Sequence, residues 1–136
     1  MRVESAAGEY RRCEFTYTAT LPPDTIHMVL YSDARAEWSS TSPPRVGAYA
    51  GQAYKYQWLN LVHFLDLVQF SDLARTYGSV GDDVPEMVVT VSRGDQSESV
   101  TEYGNAGPTK LWAVHMVMRG IADTITWTPV PKEDGK

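Results

Sequence analysis

The stretch MVVTVSRGDQSESVTEY, residues Met87–Tyr103, decides the fold of this 136-residue chain. Two runs rich in β-favouring residues, Met87–Val91 and Glu98–Tyr103, flank a connection in which Gly94 supplies the backbone freedom of a tight turn. The segment therefore predicts an antiparallel β-hairpin, around which the rest of the chain can be interpreted.

The residues before the hairpin predict several more strands. In CEFTYTAT, Cys13–Thr20, aromatic and small apolar residues alternate with threonine, which is typical of a strand with one buried face. Ile26–Tyr31 and Ala36–Ser40 are predicted as the next strands, and Val46–Gln52 as a further strand or an extended arm. The Pro43-Pro44 pair interrupts the pattern because proline removes a ladder donor.

Two helices are predicted, one on each side of the hairpin. The first covers about residues 53–68, with a core-facing stripe at helical spacing, and the second begins near Thr109 as its N-cap. The first stripe consists of Tyr54, Trp58, Leu61, Leu65 and Val68, and the second of Leu111, His115, Met118, Ile121, Ala122 and Ile125.

The order of these elements predicts the fold class. Two helices cannot supply the crossover that each parallel strand pair needs, so the sheet is expected to be antiparallel. We expect a single α+β domain over residues 1–136, with four to six strands and both helices packed on one face. Residues 1–9 are expected to form a flexible lead-in, and residues 132–136 a flexible tail.

Composition narrows the class of protein. The formal net charge of −5 argues against nucleic acid as a partner, because nucleic-acid-binding surfaces need clustered lysine and arginine. The N-terminal MRVESAAGEYRR contains no apolar run of the kind that a secretory leader requires, and no segment approaches the length of a membrane span. The expected location is the cytoplasm, with no membrane partner.

A set of landmarks along the chain resembles a known family. They are FTYTA (Phe15–Ala19), LYSDARAEW (Leu30–Trp38), VGAYAGQ (Val46–Gln52), WLNLVHFL (Trp58–Leu65), FSDLARTY (Phe70–Tyr77), VTVSRGDQSESVTEYGNAGPTKLW (Val89–Trp112) and IADTITWTPV (Ile121–Val130). Together, over residues 13–130, they resemble a small uncharacterised bacterial family, a domain of unknown function. Members of that family often carry cysteines near the first strand, of which this chain has only Cys13. The resemblance supports the fold and implies no activity, cofactor or catalytic residue.

Aromatic residues are the strongest pointer to a binding role. The chain has eight tyrosines and four tryptophans, and many of them fall in the first half on predicted strands and loops. Tyrosine and tryptophan are enriched at interfaces, so Tyr31, Trp38 and Tyr49 are candidate binding residues. The alternative is that these rings pack the sheet against the helices.

A second candidate site lies ahead of the second helix. Gly104, Gly107, Thr109 and Lys110 place a glycine-bearing loop, a capping hydroxyl and a cation at a helix start, where free N–H groups favour an anion. The spacing is not that of a phosphate-binding P-loop. The more common role of such glycines is turn geometry, and that of Thr109 is capping.

Catalytic and metal sites have weaker support. The histidines are far apart in sequence, and no cluster has the spacing of a zinc site, so no metal and no cofactor are expected. Cys13 follows Arg11 and Arg12, which favours a reactive thiolate, but a small hydrophobic residue at a strand edge is the more common role of a single cysteine. We therefore predict a non-catalytic interaction or small-ligand-binding module, with a protein partner or a second copy of the chain as its partner. The alternative is a small hydrolase or transferase that uses Asp82 and Asp83 with His27 or His63.

Overall fold

One open sheet forms the frame of the molecule. The computed structural model describes residues 10–20, 23–43, 45–81 and 84–131. The sheet has the order β5-β7-β6-β1-β2-β3-β4-β8. Its strands are β1 (Tyr10–Thr20), β2 (Pro23–Tyr31), β3 (Arg35–Ser40), β4 (Gly47–Gln52), β5 (Thr76–Tyr77), β6 (Glu86–Arg93), β7 (Gln96–Tyr103) and β8 (Thr128–Pro129). The helices are α1 (Lys55–Leu67) and α2 (Thr109–Ala122), with a 3₁₀ turn at Phe70–Asp72.

The α+β class and the hairpin of β6 and β7 are confirmed, whereas the predicted strand number is wrong. Over the described ranges the sheet has eight strands rather than four to six, and the two edge strands β5 and β8, which contain two residues each, were not predicted. Segments this short show no periodicity from which a strand can be predicted. β5 also runs parallel to β7, where Thr76 pairs with Thr101, so the sheet is only mostly antiparallel.

Alternation along the central strands separates the sheet into two faces. Cys13, Phe15 and Met28 are completely buried, while the intervening Glu14 and His27 are half-buried on the opposite side. Tyr10 is also buried although it lies an odd number of residues from Cys13, because a register shift between Tyr10 and Arg12 interrupts the ladder. A bulge of this kind inserts a residue and returns the next side chain to the same face.

Both helices lie against the face that carries Phe15, which we call the inner face. His115 of α2 packs edge-on against Phe15, and the Tyr10 hydroxyl donates to Asp66 of α1 at 2.8 Å. Gln57 joins the helices, because its Nε2 donates to the Thr124 hydroxyl at 2.9 Å. The described residues thus form a single α+β domain with one hydrophobic core.

Most of the predicted helical stripes are confirmed by burial. Trp58, Leu61, Leu65 and Val68 of the first stripe and all six residues of the second are buried. Tyr54 is the exception, because it lies at the N-cap of α1 with 65% of its surface exposed and stacks on Tyr56. The predicted N-cap of α2 is also shifted by one residue, since Pro108 occupies that position and Thr109 is the first helical residue.

The outer face of the sheet is the side that the helices leave uncovered. From β1 to β4 it carries two cross-strand rows in which each residue is the register partner of the next, Glu14–Val29–Glu37–Ala50 and Thr16–His27–Ser39–Ala48. In the row beside the first of these, Arg12 pairs with Tyr31, and Arg35 pairs with Gln52. This face is therefore polar, in contrast to the apolar inner face.

Candidate functional site

A cleft of about 510 Å³ opens on the inner face, between α2 and the loop that joins β3 to β4. We call it the α2 cleft. Its sheet side is lined by Ile26, Trp38, Ser42, Pro43 and Arg45, and its helix side by Trp112, Met116, Arg119, Gly120 and Asp123. Its volume lies within the range of about 300–1,000 Å³ that is usual for small-molecule sites in proteins.

The sheet side of the cleft is held by an arginine stacked on two tryptophans. The guanidinium of Arg45 lies 4.5 Å from the ring centre of Trp38 and 5.4 Å from that of Trp127. The Trp38 indole N–H donates to the Arg45 carbonyl at 3.2 Å, and the Trp127 indole N–H donates to the Ala122 carbonyl at 3.0 Å. These bonds fix both rings, so the position of the cation is set before any ligand arrives.

A glycine on β4 makes room for this arrangement. Gly51 faces the segment after α2, and a side chain at this position would collide with Ile125 and approach Trp127. Close backbone approach of this kind is a common reason for glycine inside a strand. Gly51 thus allows Trp127 to lie beside Trp38, with their ring centres 5.9 Å apart.

The helix side of the cleft is unusually apolar for a surface. Trp112 and Met116, one helical turn apart on α2, remain 39% and 47% exposed. Both lie outside the buried stripe of α2, which is already complete without them. Exposed large apolar side chains beside a cleft are typical of a binding surface rather than of a core.

The cleft is electropositive although the chain is acidic. It contains the guanidiniums of Arg45 and Arg119 against the single carboxylate of Asp123, whereas the whole chain has a net charge of −5. Among the residues that the structure describes, neither of these arginines forms a salt bridge. Their charge is therefore available to an incoming anion.

His115 lies beneath the helix side of the cleft. Its ring is fully buried, with ring centres 4.7 Å from those of Phe15 and Trp112 and 5.8 Å from that of Tyr17. Among the described residues, neither ring nitrogen has a hydrogen-bond partner. Burial lowers the pKa of His115 to about 4, with a further lowering by Arg119, so the imidazole is neutral at physiological pH.

Of the three aromatic residues predicted for binding, Trp38 and Tyr49 come together in the lining of one pocket, whereas Tyr31 does not line it. Trp38 lines the α2 cleft, and Tyr49 is its register partner on the same face, where its hydroxyl donates to the Val46 carbonyl at 3.0 Å. Tyr31 lies on the outer face and donates to Glu37 at 3.0 Å, beneath the guanidinium of Arg35. Burial and the Glu37 hydrogen bond raise the pKa of Tyr31.

The glycine loop before α2 already holds an acidic group from the chain itself. The N–H of Gly107 donates to the carboxylate of Glu102 at 2.7 Å, and Glu102 is only 2% exposed. Gly104 adopts a positive φ of 63°, while Thr109 and Lys110 are exposed in the first turn of α2. An external anion would compete with Glu102 for this loop, and anion binding there stays a prediction.

The residues of the catalytic alternative lie far apart or outside the described chain. His27 lies on the outer face, and His63 is exposed on α1 in the layer on the other side of the sheet. Asp82 and Asp83 fall outside the described residues. Over the described ranges, no group of three or more histidine, cysteine, aspartate or glutamate side chains is arranged to hold a metal ion.

Cys13 lacks the surroundings of a reactive thiol. It is completely buried, and its Sγ lies 3.5 Å from the sulfur of Met118. Burial raises the pKa of the Cys13 thiol to about 12, so the thiolate that would act as a nucleophile is not formed at neutral pH.

Comparison with protein-family models and with curated proteins found no match for this chain. The resemblance noted from the sequence therefore stays a prediction. No helix in the described ranges is both long and apolar enough to cross a bilayer.

Sequence reasoning identified Trp38 but missed most of the α2 cleft. Arg45 follows the proline pair, and nothing in the sequence indicates that it folds back over Trp38. Trp112 and Met116 did leave a signal, because they are large apolar residues on the side of α2 that faces away from its predicted core stripe.

Proposed function

We propose that this protein is a non-catalytic binding module that takes a small organic anion with a flat apolar body in the α2 cleft. The observation that carries the proposal is the guanidinium of Arg45, held on two tryptophan rings and facing the exposed Trp112 and Met116 across the cleft. The cation on the sheet side of the cleft matches the anionic group of such a ligand, and the apolar surface on the helix side matches its flat body.

The charged group of such a ligand would bind at the arginines. Hydrogen bonds between a guanidinium and a carboxylate, sulfonate or phosphate are charge-assisted and about twice as strong as neutral ones. Arg45 is already oriented by its stacking on Trp38 and Trp127, so little side-chain entropy is lost when the anion arrives. Arg119 adds a second positive charge from α2.

The body of the ligand would contact the helix side. Trp112 offers a ring for stacking, and Met116 offers a flexible thioether that adapts to irregular shapes. The binding proposal includes no reaction. The titratable groups of the cleft are Arg45, Arg119 and Asp123.

A pair of fluorescent probes tests this proposal. 8-Anilinonaphthalene-1-sulfonate and N-phenyl-1-naphthylamine share an aromatic body, but only the first carries a sulfonate. We expect saturable binding of both probes in the cleft, with the sulfonate binding more tightly. Arg45→Gln is expected to weaken the sulfonate about tenfold or more, as loss of a hydrogen bond to a charged group costs about 1.5–3 kcal/mol.

Two further variants complete the design. Trp112→Ala removes the shared stacking surface and should weaken both probes, whereas Arg45→Gln should leave the neutral probe nearly unchanged. Arg35→Gln is the matched control, because Arg35 is also stacked on an aromatic ring, at 4.2 Å from Tyr31, but lies on the outer face. Equal sulfonate affinity in the wild type and Arg45→Gln, or an equal loss in Arg35→Gln, would contradict the proposal.

A further inference from the structure

A second pocket lies on the outer face of the sheet, opposite the α2 cleft. It has a volume of about 270 Å³ and is lined by residues of three neighbouring strands and by the residue after β8, namely His27, Glu37, Trp38, Ser39, Ala48, Tyr49, Ala50 and Val130. Trp38 lines both pockets, whereas Arg45, Trp112 and Met116 of the α2 cleft do not line this one.

Small side chains on β4 create the space. Ser39 pairs with Ala48, and Glu37 pairs with Ala50, so two methyl groups lie beside longer polar side chains on the next strand. The Val130 N–H donates to the Ala48 carbonyl at 2.9 Å, which closes the far edge of the depression. One side of the pocket is therefore apolar, with Ala48, Ala50 and Val130, and the other side is a polar wall with His27, Glu37 and Ser39.

The polar wall is rich in hydrogen-bond acceptors. Glu37 is exposed, and its Oε1 accepts the hydroxyl of Tyr31 at 3.0 Å. Ser39 is exposed next to it, as the register partner of His27. A carboxylate, a hydroxyl and an imidazole thus border the same small space, without a lysine or arginine among its lining residues.

The neighbouring charges leave Glu37 as the acidic group of the pocket. Glu14, the other carboxylate of this region, is shared between Arg12 at 3.4 Å and His27 at 3.5 Å. Arg35 lies over the ring of Tyr31, in the adjacent cross-strand row. Glu37 forms no salt bridge within the described ranges.

From this arrangement we propose that the outer-face pocket binds a small organic amine. The ammonium group donates to the Glu37 carboxylate and the Ser39 hydroxyl, and the hydrocarbon part of the amine covers Ala48, Ala50 and Val130. An ammonium supplies three donors to a wall made of acceptors, whereas an anion would meet the charge of Glu37. Glu37 and Ser39 do not line the α2 cleft, so the amine is recognised by groups other than those proposed for the anion.

Nuclear magnetic resonance with two matched probes tests the site. Isobutylammonium and isobutanol have the same hydrocarbon part and differ in charge. We expect the backbone amide signals of Ser39, Ala48 and Ala50 to shift saturably with isobutylammonium at neutral pH, and isobutanol at the same concentrations to shift them at least tenfold less. The signals of Trp112, Met116 and Gly120 on the helix side of the α2 cleft should stay in place.

Three variants distinguish binding in a specific pocket from non-specific attraction of cations to an acidic protein. Glu37→Gln should weaken isobutylammonium at least tenfold, and Ala48→Leu should do the same by filling the pocket without changing any charge. Asp95→Asn is the control, since it removes an exposed carboxylate from the β6–β7 turn. The spectra report whether each variant is folded. Unshifted pocket signals in the wild type, or equal binding by all three variants, would overturn the proposal.

Discussion

Two places along α2 are suited to a negative charge, and they differ in what occupies them. At the start of the helix, the Gly107 N–H is bound to the buried carboxylate of Glu102. Farther along the helix, Arg45 and Arg119 face an open cleft and form no salt bridge in the described residues. At the first place the Glu102 carboxylate stabilises the fold, whereas at the second the guanidiniums of Arg45 and Arg119 stay available to a ligand.

This difference gives a way to separate structural from functional charges. A charge that is satisfied inside the chain should affect folding when it is removed, because its partner is left buried and unpaired. A charge at an open cleft should affect binding more than folding. The following substitutions test that distinction, from the largest expected effect on stability to the smallest.

The largest loss of stability is expected from Trp38→Ala. Trp38 is 7% exposed and packs between Arg45 and Trp127, so its removal leaves a cavity that the stiff strands cannot fill. Truncation of a buried large aromatic residue costs about 3–5 kcal/mol of unfolding free energy. Urea denaturation followed by circular dichroism measures it, and a loss below about 1 kcal/mol would show that the ring is not part of the core.

His115→Phe is expected to change how stability depends on pH. Because burial lowers the pKa of His115 to about 4, the unfolded chain binds a proton more readily than the folded chain between about pH 6.5 and pH 4. The wild type should therefore lose stability as the pH falls through this window, by an amount on the order of 3 kcal/mol from this residue.

Urea denaturation at pH 7 and pH 4.5 gives the comparison between the wild type and His115→Phe. Phenylalanine does not titrate, so the loss on acidification should be smaller in the variant. Carboxylates titrate in both proteins and cancel in the difference. Equal losses in the two proteins would mean that His115 is protonated as easily in the folded chain as in the unfolded one.

Glu102→Gln tests the structural role of the Glu102 carboxylate in the loop before α2. The variant replaces a charge-assisted bond of 2.7 Å by a neutral one and removes the negative charge near the start of α2. We expect a loss of about 2 kcal/mol of unfolding free energy. Unchanged stability would contradict this role of Glu102. Equal affinity of the wild type and the variant for inorganic phosphate at Gly104–Lys110 would also contradict it, because the Glu102 carboxylate would then not compete for the loop.

Arg45→Gln is expected to have the smallest effect on folding and a clear effect on binding. Loss of its stacking on Trp38 and Trp127 should cost about 1 kcal/mol of unfolding free energy. The same change should weaken the aromatic sulfonate about tenfold or more. A variant that is strongly destabilised but binds the sulfonate normally would reverse the contrast between the two places.

Periodicity predicted the parts of the fold that bury a regular face. Five residues of the second predicted stripe lie on α2 and are buried as expected, Ile125 is buried just after the helix, and the alternation of CEFTYTAT gives the correct inner face for Phe15. The two-residue edge strands could not be predicted, because their pairing depends on the tertiary position of the segments that contain them.

The candidate site was only partly predictable for a similar reason. Trp38 was found by residue type, but its partner Arg45 becomes part of the site only when the β3–β4 loop folds back over the ring. Glu102 reaches the loop before α2 because β7 directs it inward, and Gly107 leaves room for its carboxylate. These contacts join residues from different elements, and spacing along the chain does not reveal them.

The most direct test of the α2 cleft uses the four tryptophans as internal reporters. Each indole N–H gives its own signal in a proton–nitrogen spectrum, and the sulfonate probe can be added while all four are followed. Trp38, Trp112 and Trp127 should shift together with one dissociation constant. The signal of Trp58, a residue of α1 that is 1% exposed in the core, should not shift. Binding that leaves the three cleft signals unchanged, or that moves Trp58 as far as the others, would contradict a ligand site at the α2 cleft.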